Sequence, residues 1–260
     1  MIPEREIKEI AREYGVPVST IERDYAQNWL LKFLGSSFMA LKGGTGIRKV
    51  YIENYRFSDD LDFTLLKSIN IGQFSDHIKN AIEPLKYESG INFYDKYEFK
   101  ETATGSRFSI YFEMIRKSSG IPLSIKIDVT SPGNEDILLP LKDRTIFHHY
   151  SDLLDASIMT YSLDEIVAEK TRALFERTRP RDLYDVWYLI GLISEKAVIE
   201  IIPFKFQQRN VEFDLYSLEI KKKNFENAWK KSLRHQIREL PDFDIVYNEV
   251  LGKLGSFNFK

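Results

Sequence analysis

The sequence predicts an α+β protein, and three observations carry that prediction. Period-two alternation of apolar and polar residues is concentrated before residue 131. Helical periodicity dominates from Tyr161 onward. The strands and helices do not alternate strictly, which argues against a doubly wound parallel sheet and for an α+β core followed by a helical region.

The elements follow in order. Residues 3–14 and 19–34 carry helical patterns separated by Gly15 and Pro17, and Ser19 with Glu22 resembles a capping box at the second start. Within that second helix Ile21, Tyr25, Trp29 and Phe33 recur at helical spacing and form a core stripe. The helix pair approaches helix-turn-helix spacing, but no basic recognition face follows it. Residues 37–42 suit a strand entering a pair of glycines, Thr45 to Tyr51 a short helix, and Asp60 to Leu66 a second strand. Residues 71–85 read as helix. The stretches 91–101 and 106–116 read as a hairpin around Thr104-Gly105, and 121–130 as a further strand. The later helices are expected at 162–177, 180–193 (with Pro180 at its start), about 217–238 and 242–254.

Composition narrows the function. At 260 residues the chain can hold one large domain or two small ones. A net charge of −2 means that any nucleic-acid contact must come from local patches. The absence of cysteine removes disulfides, thiol nucleophiles and zinc-thiolate sites. The N-terminus MIPEREIKEIAREYG has no apolar signal core, and the longest apolar run, near Trp187 to Ile193, is far short of the roughly 20 residues of a membrane span. A cytoplasmic protein is expected.

The chemistry-bearing stretch is GGTGIRKVYIENYRFSDDLDFTLL, residues 43–66. On a strand, Asp60 and Asp62 share one face, while Leu61, Phe63 and Leu65 anchor the other. Asp59 belongs to the apolar side or precedes the strand. Two carboxylates held this close raise one another's pKa unless a cation lies between them. Magnesium takes oxygen ligands and keeps waters for phosphate oxygens, so Asp-x-Asp suits a magnesium site, although solvated acid pairs on exposed strands are common. Gly43, Gly44 and Thr45 stand between strand and helix, where backbone N–H groups can approach an anion and where Thr45 could instead cap the helix. Asp128 stands on the polar face of the strand whose other face is Leu123, Ile125, Ile127 and Val129, the place for a third ligand or for a plain solvent-facing acid. Glycines, paired acids and a third acid, in that order, describe a two-metal phosphoryl-transfer site.

Gly44-Thr45 followed by Asp60-Leu61-Asp62-Phe63 resembles the signature of the DNA polymerase beta-like nucleotidyltransferase superfamily, with Ile127-Asp128-Val129 as its third-acid motif. More narrowly, KGGTGIRKVYIENYRFSDDLDF together with EIVAEKTRALFERTRPRDLYDVWYL resembles the AbiEii/AbiGii nucleotidyltransferase toxins, over about residues 21–193 and weakly over the C-terminal helices. Threonine stands where the superfamily has serine, and the spacer to Asp60 is slightly long. The resemblance implies a nucleotidyltransferase core with a mixed sheet over residues 1–155. It also implies a helical domain over 156–260 that completes the active-site cleft. Asp60, Asp62 and Asp128 would bind Mg2+ under an NTP, Asp128 would help deprotonate the incoming hydroxyl, and Lys170 and Asp182 would match later conserved positions. It further implies transfer of a nucleoside monophosphate to an RNA acceptor, with the tRNA 3′ end leading, and a cognate antitoxin as partner. Transfer to a small molecule or a protein, or nucleotide binding without turnover, are the alternatives.

Read on its own, Lys170 lies in the stripe Leu163, Ile166, Val167, Lys170 and Leu174, which should be apolar. Its ammonium either reaches a phosphate or snorkels to solvent. Asp182 is the third residue of a helix begun by Pro180, where an acid complements the helix dipole; Asp185 is a second acid in that turn. Arg177, Arg179 and Arg181 flank it. The segment 221–238 holds Lys221, Lys222, Lys223, Lys230, Lys231, Arg234 and Arg238 around Phe225 and Trp229, which suits either RNA backbone or a solvated helix face. His148 and His149 are adjacent and take no role.

Overall fold

The computed structural model describes residues 1–35, 38–115 and 120–257. Ser37 and Arg116, at the ends of two expected strands, lie outside the described residues. The chain divides into two compact units, one of Met1–Glu135 with Leu141–Tyr161 and one of Asp136–Pro140 with Ser162–Lys260.

The first unit is built on a mixed seven-stranded sheet. Its strands are β1 (Met39–Lys42), β2 (Asp60–Leu65), β3 (Asn92–Thr102), β4 (Gly105–Glu113), β5 (Leu123–Thr130), β6 (Lys142–Thr145) and β7 (Ser157–Thr160), in the spatial order β3-β4-β5-β2-β1-β7-β6. β2 runs parallel to β5 and antiparallel to β1. Its helices are α1 (Glu4–Tyr14), α2 (Val18–Leu34), α3 (Gly43–Val50) and α4 (Ile71–Ser89). The apolar sides of the strands, with Leu61, Phe63, Phe108, Ile110, Phe112, Ile125 and Ile127 all buried, share one core with Leu30, Leu31 and Leu34 of α2 and Ile78, Ile82 and Leu85 of α4. Burial of that face leaves the alternate side chains of the same strands on the other face.

A buried ionic hub ties α3 to α2. Asp24 accepts from Arg48 Nε at 2.7 Å and from the Tyr150 hydroxyl at 2.7 Å, and its carboxylate lies 2.7 Å from Lys49 Nζ. Burial alone would push the Asp24 carboxyl up, but Arg48 and Lys49 outweigh it and hold it well below the usual range. Burial brings the Lys49 ammonium down to about 8. A buried charge is expensive unless paired, so this hub fixes α3 against α2 at one position.

The second unit contains α5 (Leu163–Glu176), α6 (Pro180–Leu189), α7 (Glu195–Gln208), α8 (Leu215–Leu233) and α9 (Phe243–Gly255). Glu165 and Lys205, both fully buried and 2.5 Å apart, hold the segment 136–140. Glu165 accepts from the Leu138 and Leu139 amides, and Lys205 donates to the Asp136 carbonyl.

Several expectations need correction. α2 begins after Pro17 with no side-chain cap, so Ser19 and Glu22 do not form a capping box; Glu22 instead accepts from the Ile115 amide. α7 escaped the sequence reading because Pro203 interrupts it and its apolar residues are largely β-branched, a pattern that favours strand until tertiary packing overrides it. β6 and β7 are four residues each, too short to show a period. α6 stops at Leu189 and α8 at Leu233, both short of the expected ends. Phe63 has no exposed surface. Phe63→Ala should therefore cost about 3–5 kcal/mol, read as a lower denaturant midpoint by far-ultraviolet dichroism.

Candidate active site

The site begins at the entry to β2, which three side chains secure. Gln27 donates from Nε2 to the carbonyls of Ser58 and Asp59 at 3.0 and 3.1 Å. Arg23 pairs with Asp59 at 2.9 Å. The Thr45 hydroxyl donates to the Asp60 carbonyl. Asp59 precedes the strand, while Asp60 and Asp62 lie on it, half-buried.

Strand register then brings the acids together. Asp62 stands opposite Asp128 across the parallel β2–β5 pair, and Asp60 stands opposite Lys126. In-register neighbours on adjacent strands are about 4.8 Å apart and project from the same face. The row continues on both sides, with Lys42 on β1 opposite Asp62 and Arg107 on β4 opposite Asp128. Across four strands the sheet therefore presents Arg107, Asp128, Asp62 and Lys42 side by side.

Each cation in that row has an identified contact. Arg107 grips Asp128 bidentately, Nε to Oδ1 at 2.5 Å and Nη2 to Oδ2 at 2.6 Å. Its guanidinium pKa is raised, first by that hydrogen bond and further by the charges of Asp128, Asp60 and Asp62. Lys42 Nζ lies 3.9 Å from Glu135 and 5.5 Å from the centre of the Tyr161 ring. Arg107, Lys42 and Glu135 were not singled out from the sequence. Arg107 stands on the polar side of the β4 alternation, which was a usable signal, but its register against Asp128 was not.

The glycines form the first turn of α3 itself rather than a loop before it. The helix is preceded by Lys42 with no side-chain cap, so Thr45 is not a capping residue. The first amides of a helix have no intrahelical acceptor, which leaves them available to an anion. Gly43 has φ +69°, and a Cβ there would stand 2.4 Å from Asp62 Oδ2. The glycine thus permits the close approach between the start of α3 and the Asp62 carboxylate. At Gly44 a Cβ would meet the Arg56 guanidinium at 2.7 Å.

Among the described residues, no three carboxylates or imidazoles are gathered closely enough, as they stand, to hold a metal ion. The donor chemistry nonetheless suits a hard cation: Asp62 and Asp128 stand in register, and Asp60 lies two residues before Asp62 on the same face. Both oxygens of Asp128 are engaged by Arg107.

Lys170 and Asp182 come together in the second unit. Lys170 Nζ is 2.8 Å from Asp182 Oδ1 and 2.9 Å from Asp185 Oδ2, and Arg177 Nε is 2.8 Å from Asp182 Oδ2. The lysine in the apolar stripe is thus met by two buried carboxylates of α6, a partnership the stripe alone did not reveal. Burial would raise the Asp182 carboxyl, but Lys170 and Arg177 hold it well below the usual range. The basic segment also changes meaning. Phe225 and Trp229 are buried, and Trp229 Nε1 donates to the Pro241 carbonyl, so neither ring is available to stack on a base. Lys221 donates to the carbonyls of Leu174 and Phe175 at the end of α5, and Lys222 pairs with Asp244.

Two outcomes follow. Gly43→Ala places a side chain at positive φ, at about 1–2 kcal/mol, and displaces Asp62. It should lower turnover at this site about 10- to 100-fold with only a small drop in melting temperature. Asp182→Asn should cost about 3 kcal/mol at pH 7. Because the folded pKa of Asp182 is depressed, its stabilisation is complete above the unfolded value of about 4 and is lost as pH falls below it. The gap between the melting temperatures of wild type and variant should therefore narrow steadily as pH falls below about 4.

Comparison with known proteins places these observations. A family model described as nucleotidyl transferase AbiEii toxin, type IV toxin–antitoxin system, matches residues 27–249. Among curated proteins no relative matches significantly. Among solved structures, the nucleotidyltransferase toxin MenT4 (Rv2826c) of Mycobacterium tuberculosis H37Rv superposes with a TM-score of 0.70 at 15% identity, covering 99% of this chain and 91% of that one. JHP933 from Helicobacter pylori gives 0.62 at 17% identity, with 92% of each chain covered. A nucleotidyltransferase structure from H. pylori gives 0.61 at 18%, covering 91% and 93%. The structural neighbours share the fold, and the family match spans most of the sequence. The chain belongs to the AbiEii family of nucleotidyltransferase toxins of type IV toxin–antitoxin systems.

Proposed function

We propose that this nucleotidyltransferase transfers a nucleoside monophosphate from an NTP to an RNA hydroxyl in a magnesium-dependent reaction, with the tRNA 3′ end as the leading acceptor. The observation that carries the reading is the register of Asp62 against Asp128, with Asp60 two residues earlier on the same face. Asp60 and Asp62, with Asp128, would hold magnesium, which neutralises charge on the phosphates and polarises the reacting phosphorus. The α3 amides of Gly43, Gly44 and Thr45 would bind phosphate oxygens. In the transfer the acceptor oxygen forms a bond to the α-phosphorus as the α–β bridging P–O bond breaks, and pyrophosphate leaves. Asp128 would receive the acceptor's proton. By resemblance Lys170 and Asp182 would also serve the reaction, Lys170 by meeting a phosphate of the NTP, and within the second unit Lys170 is ordered by two carboxylates. A tRNA acceptor puts the site of action in the cytoplasm, and the toxin class implies a cognate antitoxin.

A second reading, transfer to a small molecule or a protein, draws on one observation. The buried Phe225 and Trp229 leave the basic segment without stacking surfaces, so it can offer RNA only charge. Incubation with labelled NTPs, magnesium and total RNA distinguishes the two. Label on a small RNA, lost with Asp62→Ala, is the expected outcome. Label on protein alone moves the acceptor to the second reading, and no label on any product contradicts both. Lys230→Glu combined with Lys231→Glu, both exposed positions, should lower RNA affinity and flatten its salt dependence; unchanged binding removes this helix from the RNA site.

A further inference from the structure

The row Arg107, Asp128, Asp62, Lys42 contains two cations and two carboxylates, and the cations differ in how they are held. The Lys42 side chain is only 11% exposed and lies near Glu135 and the Tyr161 ring. The Arg107 side chain is 40% exposed and reaches the row from β4, which neighbours β5. An exposed guanidinium can swing to solvent at small cost. Its fork nevertheless takes both oxygens of Asp128.

We infer that Arg107 is an internal counter-ion of the site, which competes with the divalent cation for Asp128 and so sets the affinity of the metal. The inference rests on the magnesium site proposed above. Adjacent parallel strands bring the Asp62 and Asp128 backbones to about 4.8 Å, and like charges at that separation repel. A cation must offset this repulsion in every state of the enzyme. With Arg107 on Asp128 and Lys42 opposite Asp62, the row is balanced without metal. When a metal takes Asp128, the guanidinium is displaced or left beside another cation, and either event weakens binding. A guanidinium that only positioned Asp128 as a ligand would act in the opposite direction, because its removal would loosen the ligand.

The test is Mn2+ binding by electron paramagnetic resonance titration, without nucleotide, on wild type, Arg107→Gln, Arg107→Lys and Asp62→Asn. Arg107→Gln should bind Mn2+ about fivefold more tightly, equivalent to about 1 kcal/mol. Arg107→Lys keeps the charge but loses the fork, so it should show a smaller gain; it carries the test if the glutamine variant fails to fold. In an Asp128→Asn background the Arg107→Gln gain should vanish. Unchanged or weaker binding in the Arg107 variants overturns the inference while leaving the metal site standing, provided wild-type binding is lost in Asp62→Asn. No wild-type binding, or binding indifferent to Asp62→Asn, overturns both.

Discussion

The organising constraint is the repulsion between two carboxylates fixed in register on neighbouring parallel strands. Asp62 and Asp128 cannot drift apart, because Leu61, Phe63, Ile127 and Val129 on the reverse face are buried in the core and a one-residue slip would expose them. The hydrophobic effect thus enforces an electrostatic arrangement that is unfavourable by itself. The row answers the repulsion with cations at both ends, Arg107 beside Asp128 and Lys42 beside Asp62. A site that needs positive charge to be stable is well suited to a metal and a polyphosphate.

The surroundings of the row serve the same end. The hub of Asp24, Arg48, Lys49 and Tyr150 fixes the C-terminal half of α3, so the glycines at its other end have a defined position. Thr45 ties that first turn to the Asp60 carbonyl, and Gln27 and Arg23 secure the two residues before it. Gly43 is the point where these restraints converge on Asp62. The second unit has a charged cluster of its own, in which Lys170 is ordered by Asp182 and Asp185 and Arg177 pairs with Asp182.

Much of this was legible in the sequence, and the limits have physical causes. Period-two alternation was enough to assign Asp60 and Asp62 to one face, because that depends only on the local geometry of one strand. Which residue of β5 stands opposite Asp62 depends on register, a tertiary property, and so Arg107 went unnoticed although it lies on the polar side of its own strand. Lys170 announced itself as a charge in an apolar stripe, but its partners sit on another helix. Trp229 and Phe225 misled because a basic helix with aromatics has the same pattern whether its rings face a core or a ligand; here they are buried. α7 was missed because Pro203 and its branched residues speak locally against helix. The early-strand, late-helix order needed no tertiary information and matched the α+β architecture of the chain.

The central claim is that the carboxylate row is the metal-dependent nucleotidyl-transfer site. The most direct measurement is anomalous diffraction from crystals grown with Mn2+ and a non-hydrolysable NTP analogue. The account predicts an anomalous peak at Asp60 and Asp62, analogue phosphates at the start of α3, and Arg107 released from the face of Asp128 it now grips. An anomalous peak and phosphates elsewhere in the molecule, with Arg107 still on Asp128, would contradict it.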